Sequence, residues 1–161
     1  MNLKNSSGKS PLNVCDEEML TVIKAFQTLA KKDSSGRTSL HKACGSGDFK
    51  LVKSLVSSGA SPLWKDNGGW TPLHAASLKG HFKIVKYLLK TGISPNQQAK
   101  NLDSPLHDAS ENGHNDVVQI LLDHGANVEL KNEKGSTPFD VAADEGFILF
   151  YLKHFDFIIF D

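Results

Sequence analysis

The stretch TPLHAA, at residues 71–76, recurs in near copies along the chain, and this recurrence predicts the fold. The other copies are TSLHKA at residues 38–43, SPLHDA at residues 104–109 and TPFDVA at residues 137–142. The four copies start at positions 38, 71, 104 and 137, which is a constant step of 33 residues. A fixed period of this length indicates a solenoid, in which one small structural unit is repeated and stacked.

The residues around each copy predict a pair of helices. Threonine or serine at the head of the copy can cap a helix by accepting a backbone N–H, and proline is tolerated in the first turn. A second helix is predicted where Ile84, Val85 and Leu88 form an apolar stripe, and Gly92 ends it. Turn-forming stretches such as NVELKNEKG at residues 127–135 join the copies. One such unit cannot bury its own apolar face, so neighbouring units must stack.

This unit resembles the ankyrin repeat, and the resemblance covers residues 33 to about 146. It implies an all-α ankyrin-repeat solenoid of stacked helix-turn-helix units joined by β-hairpin-like loops. It also implies a non-catalytic module that binds proteins. The expected segments are an N-terminal segment with a capping helix or a degenerate repeat (1–32), three repeats (33–65, 66–98 and 99–131) and a C-terminal capping repeat with an apolar tail (132–161).

The stretch HDASENGH at residues 107–114 raises the question of a metal or acid–base site. His41 and His74, however, occupy the position of His107 in the two earlier repeats. Zinc needs three or four ligands that converge, whereas stacking separates equivalent histidines by one repeat. The ankyrin resemblance implies that this histidine instead ties neighbouring loops together by hydrogen bonds. We therefore expect no metal, no cofactor and no catalytic group, with a metal-dependent enzyme as the rival hypothesis.

The charge balance argues against direct contact with nucleic acid. Eighteen Lys and Arg residues match eighteen Asp and Glu residues, so the chain lacks the positive field that steers a protein onto nucleic acid. Two cysteines are too few for a secreted disulfide framework, and no apolar signal segment follows Met1. These features favour an intracellular protein, cytoplasmic or nuclear, in which Cys44 belongs to the core.

The two ends differ from the repeats. The stretch FILFYLKHFDFIIF at residues 147–160 has eleven apolar residues of fourteen. It is shorter than the roughly 20 residues that a membrane span requires, so we expect no membrane insertion. The two interpretations of this tail are a packed final helix that is partly exposed and a surface for self-association. At the other end, the apolar spacing within residues 16–32 predicts a capping helix.

A concave binding surface is expected where residues vary between repeats, just before each capping residue and on the outward side of the first helix. The candidates are basic in repeat one, apolar in repeat two and acidic in repeat three: Arg37, Lys42, Trp70, Leu78, Asp103, Asp108 and Glu111. Trp64, in the preceding loop, could join Trp70 as an anchor, since tryptophan is enriched at binding hot spots. The alternatives are packing of Trp70 under the adjacent loop and a merely solvated face for the acids.

A narrower resemblance concerns DNGGWTPLH at residues 66–74 and DSPLHDASENGH at residues 103–114. Both look like the histone-tail-binding ankyrin domains of chromatin proteins such as Tonsoku-like protein, and Trp70, Asp103 and Asp108 match that pattern. Repeat two departs from it, because alanine and leucine stand where those domains carry an acid and an amide. The resemblance implies an alternative function, a chromatin-linked reader of a basic, partly extended peptide such as a histone tail.

Overall fold

Three helix pairs follow one another in residues 27–142, the part of the chain that the computed structural model describes. The pairs are α1 (Ser39–Ser46) with α2 (Phe49–Ser57), α3 (Pro72–Leu78) with α4 (Phe82–Lys90), and α5 (Pro105–Glu111) with α6 (Asn115–Asp123). Residues 27–30 are helical as well, and no β-strand occurs between residues 27 and 142. The predicted all-α class and the predicted helix pairs are confirmed.

Each first helix begins at a reciprocal hydrogen-bonded cap. The backbone N–H of His74 donates to Thr71 Oγ1 over 3.4 Å, and the backbone N–H of Thr71 donates to His74 Nδ1 over 3.2 Å. Ser104 and His107 repeat this arrangement in α5. The side chain and the ring together satisfy backbone donors that a helix start would otherwise leave unpaired. Threonine or serine, followed three positions later by histidine, therefore forms the hydrogen-bonded start of these helices.

The helices form two layers that share one core. The first helices α1, α3 and α5 pack in sequence, and the second helices α2, α4 and α6 cover one side of them. Leucine at the third position of each copy is buried in all three pairs: Leu40, Leu73 and Leu106. The predicted stripe of Ile84, Val85 and Leu88 is also buried. Cys44 is fully buried, which confirms its predicted place in the core, and this burial raises the pKa of its thiol to about 12.

The loops between helix pairs are tight turns stacked on one another. In the second turn, the N–H of Asp66 donates to the carbonyl of Trp70 over 2.9 Å. Successive turns are joined through the backbone, since the N–H of Lys100 donates to the carbonyl of Gly68 over 2.9 Å. Gly69 has φ +81°, and a Cβ there would lie 2.8 Å from the nitrogen of Lys100. Only glycine therefore fits this close approach of two turns.

The fourth copy retains the cap although its histidine is replaced. Asp140 Oδ2 accepts hydrogen bonds from the N–H and the hydroxyl of Thr137, each over 2.8 Å. The C-terminal tail at residues 147–160 lies outside the described residues, and so does most of the predicted helix within residues 16–32. No helix in the described part of the chain is both long enough and apolar enough to cross a membrane.

Candidate functional site

The first histidines connect each repeat to the next one. Nε2 of His41 lies 3.0 Å from the carbonyl oxygen of Trp70, and Nε2 of His74 lies 3.2 Å from that of Asp103. Because Nδ1 of each ring already accepts a backbone N–H, the neutral ring carries its proton on Nε2 and donates it to the carbonyl. The role that the resemblance implied is confirmed. The same bonds also fix the backbone at two positions of the predicted binding surface.

The second histidines point back toward the preceding repeat. Nε2 of His81 lies 3.2 Å from the carbonyl oxygen of Gly45, and Nε2 of His114 lies 3.1 Å from that of Leu78. The periodic histidines thus hydrogen-bond to protein carbonyls. Burial lowers the pKa of His74 to about 4, so this ring stays neutral at physiological pH. Between residues 27 and 142, no three His, Cys, Asp or Glu side chains are grouped so that they could hold a metal ion.

Four of the predicted binding residues meet at one cavity between the first helices of repeats one and two. The cavity has a volume of about 280 Å³. Arg37, Lys42, Trp70 and Leu78 line it, together with Ala75, Gly45, His41 and Lys79. The Trp70 ring is half-buried, and its centroid lies 6.0 Å from that of the His74 ring. Trp70 therefore both packs on its own repeat and forms part of an open surface.

Two aspartates that the sequence analysis missed balance the cations of this cavity. Arg37 Nε lies 3.3 Å from Asp66 Oδ2, and the Asp66 side chain is only 7% exposed. Lys42 Nζ lies 2.9 Å from Asp33 Oδ2, and this hydrogen bond from Lys42 holds the pKa of the Asp33 carboxyl below its usual value. The signal was present, because Asp33 and Asp66 are themselves 33 residues apart. The rim of the cavity is therefore less basic than its lysine and arginine suggest.

The three predicted acids of repeat three lie near one another but in different environments. Asp108 is 2% exposed, although the sequence analysis placed it on the outward side of its helix, with a solvated face as the alternative. Its Oδ2 has no hydrogen-bond partner within residues 27–142. Burial raises the pKa of Asp108 to about 8, and the negative charges of Asp103 and Glu111 add to this effect. Water solvates a carboxylate better than this site does, so Asp108 holds its proton near neutral pH.

The other two acids remain closer to solvent. Asp103 Oδ1 accepts a hydrogen bond from Asn132 Nδ2 over 2.9 Å, and its Oδ2 accepts one from Asn101. Asp103 thus links its own turn to the next turn, whereas Glu111 is exposed. Trp64 is half-buried and does not line the cavity at Trp70. The structure therefore brings the acids together and groups Trp70 with the basic residues instead of with Trp64.

Comparison with known families agrees with this architecture. A family model described as ankyrin repeats (3 copies) matches residues 1–99, and one described as ankyrin repeats (many copies) matches residues 88–142. No curated protein matches the chain. The first family match alone covers more than half of the sequence, and it includes the N-terminal segment whose repeat character the sequence left open. The chain belongs to the ankyrin repeat family, whose repeats form protein–protein interaction modules.

Proposed function

We propose that this module binds a partner protein through the surface formed by its first helices and turns, with the Trp70 cavity at the centre. The observation that carries the proposal is the convergence of Arg37, Lys42, Trp70 and Leu78 on one cavity. The cavity has a volume of about 280 Å³, and apolar surface from Trp70, Ala75 and Leu78 meets the cations there. An apolar side chain of a partner suits this lining.

The local structure prepares Trp70 for such a contact. Its backbone N–H donates to Asp66 Oδ1 over 2.9 Å, and its carbonyl accepts from His41 over 3.0 Å. The backbone N–H and carbonyl of Trp70 are therefore both fixed in the unbound protein, which reduces the entropy lost on binding. Trp70, Ala75 and Leu78 supply apolar surface, while the cations form the rim. An apolar centre with a polar rim is the usual anatomy of a protein interface.

The test is to identify a partner and then compare two tryptophan variants. Affinity capture with the whole chain and mass spectrometry would supply the partner, and titration calorimetry would give its affinity. We expect Trp70→Ala to weaken binding by at least about thirtyfold, the loss typical of a hot-spot residue. Trp64→Ala is the matched control, because Trp64 does not line the cavity, and it should change affinity by less than about threefold. Wild-type affinity in folded Trp70→Ala would place the site elsewhere.

A second proposal is that a basic, partly extended peptide, such as a histone tail, contacts the acids of repeat three. The supporting observation is that Asp103 and Glu111 both raise the pKa of Asp108, so the three carboxyl groups share one electrostatic environment. A lysine ammonium of the peptide would lie beside Glu111, which is exposed, whereas Oδ2 of Asp108 is buried. Its positive charge would nevertheless favour the ionised form of the nearby Asp108 carboxyl group and promote release of its proton.

This second proposal is tested with an unmodified histone tail and a scrambled peptide of the same composition. We expect the native order to bind more tightly and its affinity to fall with salt, because exposed charges are screened over about 8 Å at physiological ionic strength. The double variant Asp108→Asn, Glu111→Gln should lose most of this affinity. Equal binding of both peptides, or equal binding by wild type and double variant, would exclude histone reading by these acids while leaving the Trp70 site open.

A further inference from the structure

The second helices of repeats one and two carry a concentrated positive charge. Their sequences are FKLVKSLVS at residues 49–57 and FKIVKYLLK at residues 82–90. Five lysines of these helices are exposed: Lys50, Lys53, Lys83, Lys86 and Lys90. The two ion pairs of the described part of the chain involve none of them. Because each exposed cation keeps its hydration and its charge, this face is available to an anionic ligand.

Three aromatic rings lie between these lysines. Phe49 and Tyr87 come from different repeats and meet edge to face, with ring centroids 5.8 Å apart and planes at 86°. Lys53 Nζ lies 5.9 Å from the centroid of the Phe49 ring, and Lys86 Nζ lies 5.6 Å from that of Phe82. All three rings are half-buried. The ammonium groups are thus held above aromatic faces at the edge of apolar surface.

The rings form the floor of two adjoining hollows, which together we call the α2–α4 groove. One hollow has a volume of about 360 Å³ and the other about 330 Å³. Phe49, Phe82 and Lys83 line both of them, and Lys86, Tyr87 and Lys90 line the second. Asp116 of repeat three stands at the edge of the first. The groove therefore combines concave apolar surface with a positive rim that ends where repeat three begins.

Repeat three shows that the fold does not require this pattern. The residues of α6 that lie 33 positions after Phe82, Lys83, Lys86 and Lys90 are Asn115, Asp116, Gln119 and Asp123. The α6 helix nevertheless has the same length and position as α4, and it buries Val117, Val118 and Leu121. A stacked helix at this place thus forms with neither the aromatic ring nor the lysines. Because the scaffold does not demand them, recognition is the better explanation of their presence in two consecutive repeats.

We propose that the α2–α4 groove binds an acidic segment of a partner protein, with carboxylates at the lysine rim and an apolar side chain in the hollows. This surface is formed by the second helices and is distinct from the Trp70 cavity. Surface ion pairs contribute little each, so the ring-lined hollows must supply much of the affinity. Two hollows of about 360 and 330 Å³ bordered by lysines suit a peptide, whose successive side chains can place an apolar group in a hollow and a carboxylate at the rim. The chain is also neutral overall, so a long polyanion lacks a molecule-wide attraction.

The experiment uses the whole chain and a labelled synthetic peptide with glutamates on both sides of one phenylalanine. Fluorescence anisotropy would give the dissociation constant at low and at physiological salt. Two variants test the groove: Phe82→Asn with Lys83→Asp and Lys86→Gln, which installs the residues of repeat three, and the surface-only change of Lys83, Lys86 and Lys90 to glutamine. The control is Arg37→Gln with Lys42→Gln, which removes cations that line the Trp70 cavity.

We expect each groove variant to weaken peptide binding by about tenfold or more, and the control by less than about twofold. The surface-only variant should do so at unchanged thermal stability, whereas Phe82→Asn also removes a ring that packs against the core. A peptide with serine in place of phenylalanine should bind markedly more weakly to the wild type. The proposal is overturned if the surface-only variant binds like wild type, if the control loses as much as the groove variants, or if an oligonucleotide or an anionic vesicle competes more tightly than the peptide. These outcomes are independent of whether Trp70→Ala affects its own partner.

Discussion

Lys42 and Asp108 occupy the same position of the repeat, yet their environments are opposite. The Lys42 side chain is 60% exposed and pairs with Asp33, whereas Asp108 is 2% exposed and its Oδ2 has no partner among the described residues. The leucine two residues earlier is buried in both repeats, as Leu40 and Leu106 show. The leucine position therefore has the same environment in these repeats, whereas the environment at the position of Lys42 and Asp108 depends on the neighbouring residues.

The largest effect is expected where the environment is uniform. Leu73→Ala should lower the free energy of unfolding by about 2–5 kcal/mol, because the fully buried side chain leaves a cavity between repeats. Chemical denaturation followed by circular dichroism measures this loss. Leu63→Ala is the matched control, since Leu63 is 55% exposed, and it should cost about 0.5 kcal/mol or less. Similar losses in the two variants would contradict the assignment of the core.

An intermediate effect is expected at Asp108, and it depends on pH. Its folded-state pKa of about 8 lies above the ordinary aspartate value of 3.8, so the unfolded state releases the proton first. The contribution of Asp108 to stability is therefore fullest below about pH 4 and falls as pH rises toward 8. Between pH 6.5 and 8 the loss should be about 1–2 kcal/mol, at up to roughly 1.4 kcal/mol per pH unit. Asp108→Asn should remove this loss.

The measurement at Asp108 is a pair of denaturation curves for wild type and Asp108→Asn at each pH. The pH window avoids the opposite contribution of His74, whose pKa is lowered to about 4, so that its stabilising effect is lost as pH falls below 6.5. Parallel pH profiles for the two proteins would show that Asp108 is ionised and solvated after all. Replacing an exposed acid usually changes stability by about 0.5 kcal/mol or less, and the burial of Asp108 removes it from that class.

The smallest effect is expected at Lys42. Lys42→Gln removes one charge from an exposed ion pair, and solvent screens such pairs strongly. We expect a denaturation midpoint that cannot be distinguished from wild type, with partner binding as the property that changes. A clear loss of stability would mean that the turn containing Asp33 depends on this lysine. Lys42 would then belong to the scaffold, as the leucines do.

Sequence periodicity was sufficient for the scaffold and insufficient for the surface. The period located the capping threonine, the first histidine and the buried leucine of each unit, because these positions make the same packing contacts in every stacked unit. It did not reveal that Asp108 is buried, since the lysine at the equivalent position in repeat one is exposed. Nor did it show that Arg37 and Lys42 are paired, because those contacts depend on side-chain reach across a turn. The grouping of Trp70 with Leu78, in contrast, was anticipated by assigning both to the concave face.

The hydrogen bonds between repeats have a mechanical consequence. Side-chain hydrogen bonds join neighbouring repeats across 29 to 36 positions, as in His41 with Trp70 and His81 with Gly45. These bonds connect each repeat only to the repeats directly before and after it. We therefore expect tension along the solenoid to break one interface at a time and to release about one period of polypeptide at each step. Such a molecule would lengthen under load in discrete increments.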